Sequence, residues 1–397
     1  MLRTFTAGLL ALLMLLCTGC GSFGTAADSG PASASQGLAG SAASAPADLS
    51  KGEAVEISDA NSYCYALLEP QDQELYRQIL ATYQSAGADF SSPVFDQDKL
   101  IKIANYVLLD HPEIFWYTGD IRVTTHSRGD EVVGMELRFG YEVAPEDLEA
   151  ATAAVKARAQ ECLSAIDPAW SDYDKIKAVY DWLIRFADYA SAEKCQTLYS
   201  IMTKGRGVCT GYARSMQYLL QQLNIPCVLV SGTAGRENHA WNLVKADGEY
   251  YYLDATMGDP VATETAEPDP DYVSYGFFCI TTDDLLRTHT PDDTISLPRC
   301  TATDCNYYVR NGLYFTEYDP LQVEEILAAA VEQGENAALR FADAKAFSEA
   351  YSRLFFQDEI FPMLRKIAGS TQSIDPTSVD YRKEGADDIL VICPAFL

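Results

Sequence analysis

The chain carries Gly207-Val208-Cys209-Thr210-Gly211-Tyr212-Ala213-Arg214, followed by Asn238-His239-Ala240-Trp241-Asn242 and Leu253-Asp254-Ala255-Thr256. Behind Cys209, Met216, Leu219, Leu220 and Leu223 recur at helical spacing up to Asn224-Ile225-Pro226. Asn224 suits a left-handed helix end, and Pro226 forbids continuation. Cys209 is therefore expected at the start of a helix of about four turns. There, unpaired backbone N–H groups and the positive end of the helix dipole favour a thiolate over a thiol. A thiolate is the form that attacks carbonyl carbon.

Such a nucleophile needs a base, and the base needs an orienter. Asn238 to Val244 and Tyr250 to Asp254 are β-rich runs flanking Ala246-Asp247-Gly248-Glu249, and Asp-Gly between such runs is a hairpin signal. A turn centred on Asp247-Gly248 places Lys245 opposite Tyr250, Trp241 opposite Asp254 and His239 opposite Thr256. His239 and Asp254 then share one sheet face as diagonal neighbours about 7 Å apart. A slip of one residue would put them on opposite faces.

These spaced motifs resemble the transglutaminase-like superfamily of papain-type folds over about residues 170–290, including the Ile225-Pro226 link to Val228-Leu229-Val230-Ser231-Gly232. The resemblance implies an α+β fold, with a helix bearing Cys209 packed on an antiparallel sheet bearing His239 and Asp254. It implies Cys209 as nucleophile, His239 as base and acid, Asp254 as orienter, and Gln196 as a candidate oxyanion donor. Two positions depart from the family's bacterial pattern. Thr210 stands where Glu is usual, and Thr256-Met257-Gly258-Asp259-Pro260 replaces Thr-Trp-Asp-Asp-Pro.

Each residue also has a plainer reading. A lone Cys at a helix start is more often buried than catalytic, and a lone His or Asp in a strand is more often structural. Their joint occurrence, in order and on the right elements, favours the site. Gly207-x-Cys209-x-Gly211 mimics a nucleophile elbow, but an α/β-hydrolase orders the acid before the histidine, and here His239 precedes Asp254. Ile201 to Arg206 is also a poor strand to precede such an elbow. Trp241 and Tyr250 to Tyr252 read as hairpin packing. Four histidines, none at ligand spacing from a cysteine, argue against zinc, and no cofactor is expected.

Outside this region the chain reads in segments. Arg3 and the apolar run Gly8 to Leu16 form a signal-peptide pattern ending at Leu16-Cys17-Thr18-Gly19-Cys20, which resembles a bacterial lipobox with lipidation of Cys20. Residues 21–55 are Gly, Ser, Ala and Pro with little to bury, and are expected to be a disordered tether with a reach of roughly 30 Å. An N-terminal α/β domain is expected over 56–150, the transglutaminase-like domain over 151–295 and a C-terminal α/β module over 296–397. In the last, Cys305 to Val309 reads as a strand. Of eleven cysteines, two belong to the leader and nine remain, mostly inside apolar segments where cysteine acts as a small hydrophobe. Cys300 and Cys305 are close enough in sequence to pair.

With 57 acidic against 29 basic residues and a net charge of −28, the chain's composition argues against nucleic acid and against electrostatic binding to anionic lipid or wall polymers. The expected protein is lipid-anchored on the extracytoplasmic face of a bacterial membrane, with protein, peptide or cell-wall substrates. It would open amide bonds through a thioester, by hydrolysis in preference to cross-linking. The competing expectation, raised by Thr210 and Met257, is a binding or scaffold module that keeps the fold without turnover.

Overall fold

The computed structural model describes residues 57–86, 88–190, 196–259, 272–386 and 388–397, together with the backbone of 3–5. The leader's apolar run, Cys20 and the tether lie outside the described residues. Among those described, no helix is long and apolar enough to cross a membrane.

The N-terminal part comprises a four-stranded sheet and three helices. Its strands are β1 (Arg3–Phe5), β2 (Phe90–Ser92), β3 (Tyr117–Arg128) and β4 (Glu131–Tyr141), in the order β1-β3-β4-β2. Its helices are α1 (Tyr63–Ala66), α2 (Pro70–Gln84) and α3 (Gln97–Asp110). The apolar stretch from Tyr63 to Tyr83 divides at Pro70, the first residue of α2, where no backbone N–H is needed. Ile114 to Trp116, strand-like by composition, form a turn, and β3 begins only at Tyr117.

The central part runs α4 (Leu148–Leu163), α5 (Asp172–Phe186), β5 (Asp188–Tyr189), α6 (Leu198–Lys204), β6 (Arg206–Gly207) and α7 (Cys209–Gln222). Strands β7 (Cys227–Ala234), β8 (Glu237–Ala246) and β9 (Glu249–Leu253) follow, then α8 (Thr282–Leu285) and β10 (His289–Pro291). The sheet order is β10-β7-β8-β9, antiparallel throughout. Ser171 caps α5 by accepting from the Asp174 N–H, which is the start that Ser-x-x-Asp announces. Buried apolar side chains form one continuous core from Cys64 to Cys305 that crosses residue 150 without a break through Val143, Ala151 and Val155.

The C-terminal part has its own core. It comprises α9 (Tyr307–Arg310), β11 (Tyr314–Phe315), α10 (Pro320–Gln333), β12 (Ala337–Phe341), α11 (Ala344–Tyr351), α12 (Ile360–Thr371), β13 (Ile374–Glu384) and β14 (Ile389–Phe396). The sheet order is β11-β12-β14-β13. The strand expected over Cys305 to Val309 is instead helix α9, because the Asn306 side chain accepts from the Tyr308 and Val309 N–H groups and caps a helical turn. Cys300 and Cys305 are both free and buried and form no disulfide.

Candidate active site

Cys209 is the first residue of α7 and is 1 % exposed. Its position is set from both sides. Helix α6 ends at Gly205 in the left-handed region, φ 62°, and the chain then pairs in parallel with β5 through Arg206 and Gly207. That short pair holds the entry to α7 in place. The first turn of α7 leaves its N–H groups without helical partners, so the thiol sits at the positive pole of the helix. Further along, the Asn242 side-chain amide donates to Ala213 O at 2.9 Å, and Gln221 Nε2 donates to Cys227 O at 3.0 Å. Cys227 pairs with Val244, so descending α7 from Gln221 to Ala213 follows β8 from Val244 back to Asn242. Continued, this direction brings the Cys209 end of the helix toward the His239 end of the strand.

His239 and Asp254 meet directly. In the hairpin, Lys245 pairs with Tyr250 and Asn242 with Leu253, the register that a turn centred on Asp247-Gly248 gives. His239 Nε2 lies 2.7 Å from Asp254 Oδ2, both residues being buried. Trp241, two residues along the same strand face, stacks on the imidazole with ring centroids 6.0 Å apart. Across the sheet His239 faces Gly232. A side chain at 232 has no room, since a Cβ there would sit 2.2 Å from Thr290 O and 2.8 Å from Trp241 Cη2.

The structure adds His289, which sequence reading did not single out. Its Nε2 is 3.1 Å from the same Asp254 Oδ2, and its Nδ1 is 2.7 Å from Thr288 Oγ1. Trp241 and Phe277 pack on its ring at 4.9 and 5.2 Å. The other carboxylate oxygen, Oδ1, accepts from the backbone N–H of Thr256 and Met257 at 2.9 and 3.1 Å. Four donors thus converge on one carboxylate. Burial would raise the Asp254 pKa, but His239 and then His289 outweigh it and hold the carboxyl well below the usual carboxylate range. An ionised Asp254 assigns the Nε2 proton of both imidazoles, which leaves the lone pair of a neutral His239 on Nδ1.

The ligand atoms of His239, Asp254 and His289 lie within 4.8 Å of one another, close enough to hold a metal ion. The hydrogen bonds above account for that closeness without one. No sequence spacing could have flagged His289, which lies 35 residues beyond Asp254 in a three-residue strand.

Gln196 lies just before α6 on the wall of a cavity shared with Thr210, the residue after Cys209. Burial pushes up the thiols of Cys64, Cys162, Cys227, Cys279, Cys300, Cys305 and Cys393, those of Cys300 and Cys305 to about 11.

Residues 157–255 match the family model of the transglutaminase-like superfamily. The kyphoscoliosis peptidase of Mus musculus is 24 % identical over 166 residues, covering 37 % of this chain and 25 % of that protein. Its counterpart in Homo sapiens is 23 % identical over 167 residues, with the same coverage. The chain therefore spans about a quarter of the length of these relatives. A crystal structure of a TGase aligns at 13 % identity over 45 % of this chain and 52 % of that one, with a TM-score of 0.26.

Proposed function

We propose that the protein is a cysteine-dependent enzyme that opens amide bonds, with Cys209, His239 and Asp254 as its triad, a reading supported by the match of residues 157–255 to the transglutaminase-like family model. The observation that carries this reading is the buried 2.7 Å contact between His239 Nε2 and Asp254 Oδ2. It fixes the tautomer in which Nδ1 can take a proton, the arrangement a cysteine nucleophile needs.

In the proposed reaction the Cys209 proton passes to His239 Nδ1 and the thiolate sulfur attacks the amide carbon. As the C–N bond breaks, His239 returns that proton to the leaving amine and a thioester remains. Water, deprotonated by the same imidazole, then attacks the thioester carbon, and the C–S bond breaks to release acid and thiol. Gln196 and the backbone N–H groups at the start of α7 are the donors proposed for the oxyanion. Resolution by water in preference to an amine is the finer part of the proposal, and the similarity to proteins named as peptidases supports it. We further propose that lipidation of Cys20 holds the domain at the extracytoplasmic face of the membrane, where protein, peptide or cell-wall amides are the substrates.

The test is alkylation by iodoacetamide across pH, with the site of modification mapped. Rapid labelling of Cys209 below pH 7, lost in His239→Ala, supports the triad. Labelling that follows an ordinary thiol titration near pH 8.5 overturns it. Adding a primary amine during turnover then separates hydrolysis from transfer by whether the amine appears in the product.

A further inference from the structure

Beside the start of α7 lies a cavity of about 240 Å³, bounded by α3, the 114–116 turn, the start of β3 and the first turns of α7. It is smaller than the roughly 300–1,000 Å³ typical of whole-ligand sites, a size suited to one side chain. Two of its lining residues are on one face of α7, one turn apart: Thr210 and Arg214. Thr210 is 8 % exposed, and its hydroxyl is buried with no hydrogen-bond partner. A buried hydroxyl left without a partner is unfavourable, so a ligand atom that completes it gains binding energy.

Arg214 has a structural duty, but that duty does not need its charge. Its Nη1 donates to Leu108 O at 2.8 Å, at the C-terminal end of α3. One and two turns further along α7, Gln217 and Gln221 donate to Leu109 O and Asp110 O. Neutral amides thus cap the same helix end. Among the described residues no carboxylate lies within ion-pairing distance of Arg214, and burial pulls its guanidinium down to about 10. Glu142, which also lines the cavity, accepts from the Thr197 hydroxyl at 3.2 Å. A half-buried guanidinium with unused N–H groups, next to an unsatisfied hydroxyl, matches the two oxygens of a carboxylate.

We propose that this cavity is a substrate subsite that receives a carboxylate of a peptide, held by Arg214 and Thr210 beside the bond opened at Cys209. The proposal rests on the reading of Cys209 as nucleophile for its place in the reaction, but the binding itself does not require turnover. The carboxylate comes either from an acidic side chain or from a chain terminus, and the two sources are separable.

The experiment is thermal stabilisation of the full chain, wild type and Cys209→Ala, by three small probes at matched ionic strength. N-acetylglutamate α-amide carries only a side-chain carboxylate, N-acetylglutamine only an α-carboxylate, and N-acetylglutamine amide neither. A ligand that binds only the folded state stabilises it by RT ln(1 + [L]/Kd) and so raises Tm with increasing concentration. One carboxylate probe should raise Tm in both proteins while the uncharged probe does not, and the one that does so names the source. In Arg214→Gln, which keeps an amide to cap α3, affinity for that probe should fall about 10- to 100-fold, the range for losing a charge-assisted hydrogen bond. Thr210→Val should weaken it as well. Equal shifts from all three probes, no shift from any, or a shift retained in Arg214→Gln would overturn the proposal. Because Cys209→Ala carries the binding test, a failed alkylation experiment strikes the proposed reaction and not the subsite.

Discussion

Replacing Asp254 by Asn probes the site where its geometry is least forgiving. The carboxylate accepts from Thr256 N and Met257 N on Oδ1 and from His239 Nε2 and His289 Nε2 on Oδ2. An amide has one acceptor oxygen and one donor nitrogen, so it can satisfy one pair only. If the oxygen keeps the backbone pair, the amide N–H groups face two ring nitrogens that were donors. The imidazoles must then give up those bonds or move their protons to Nδ1. Two hydrogen bonds to a charged acceptor contribute about 1.5–3 kcal/mol each, and neutral replacements recover about 0.5–1.5 kcal/mol each. The expected net loss is about 2–3 kcal/mol, read from urea unfolding of wild type and variant. The consequence for chemistry is larger, because a His239 protonated on Nδ1 cannot accept the thiol proton. The same tautomer error in a serine protease triad lowers turnover about 10⁴-fold. Alkylation of Cys209 at pH 6 should fall by at least about 100-fold. A rate within threefold of wild type, alongside the predicted destabilisation, would show that Asp254 holds the fold but does not orient the base.

His289→Ala removes one of the two imidazoles on Asp254 and should destabilise by about 2–4 kcal/mol through the lost bond and the cavity; a change below about 0.5 kcal/mol in urea unfolding would contradict its positioning role. Gly232→Ala forces a Cβ against Thr290 O, a backbone atom that cannot rotate away. It should cost at least about 1–3 kcal/mol, and a midpoint unchanged in urea would count against the packing described. Asp110, buried at the end of α3, gives the pH dependence. Burial pushes its carboxyl up to about 6, against opposing N–H bonds from Cys64 and Tyr65. A group whose folded pKa is raised stabilises the fold at low pH and loses that contribution as pH rises from about 4 through about 6. The stability of wild type relative to Asp110→Asn should therefore fall by about 2–3 kcal/mol between pH 4 and pH 7, and urea midpoints with a constant difference across that range would refute it.

The parts of the site that were legible in the sequence are those fixed by short-range rules. Asp247-Gly248 sets a turn, the turn sets the register, and the register decides that His239 and Asp254 share a face. The start of α7 is likewise marked by apolar spacing behind Cys209. Features decided by long-range contact were not legible. His289 joins Asp254 only because β10 pairs with β7 across the sheet. Local chemistry also overrode composition: β-rich Tyr307-Tyr308-Val309 is helical because Asn306 caps it. In the C-terminal part, α12 is obscured by Pro362 in its first turn, where proline is tolerated. The edge strand β13 is largely polar, so it lacks the alternation that a half-buried strand displays.

If Cys209 is an activated thiol paired with His239, the pH profile of its alkylation will show it. The seven other described cysteines whose thiols burial pushes up should be silent at pH 6. Rapid, single-site labelling of Cys209 is expected at that pH, falling sharply in Asp254→Asn and His239→Ala. Slow labelling that rises only near pH 8.5, with the same profile in all three proteins, would contradict it.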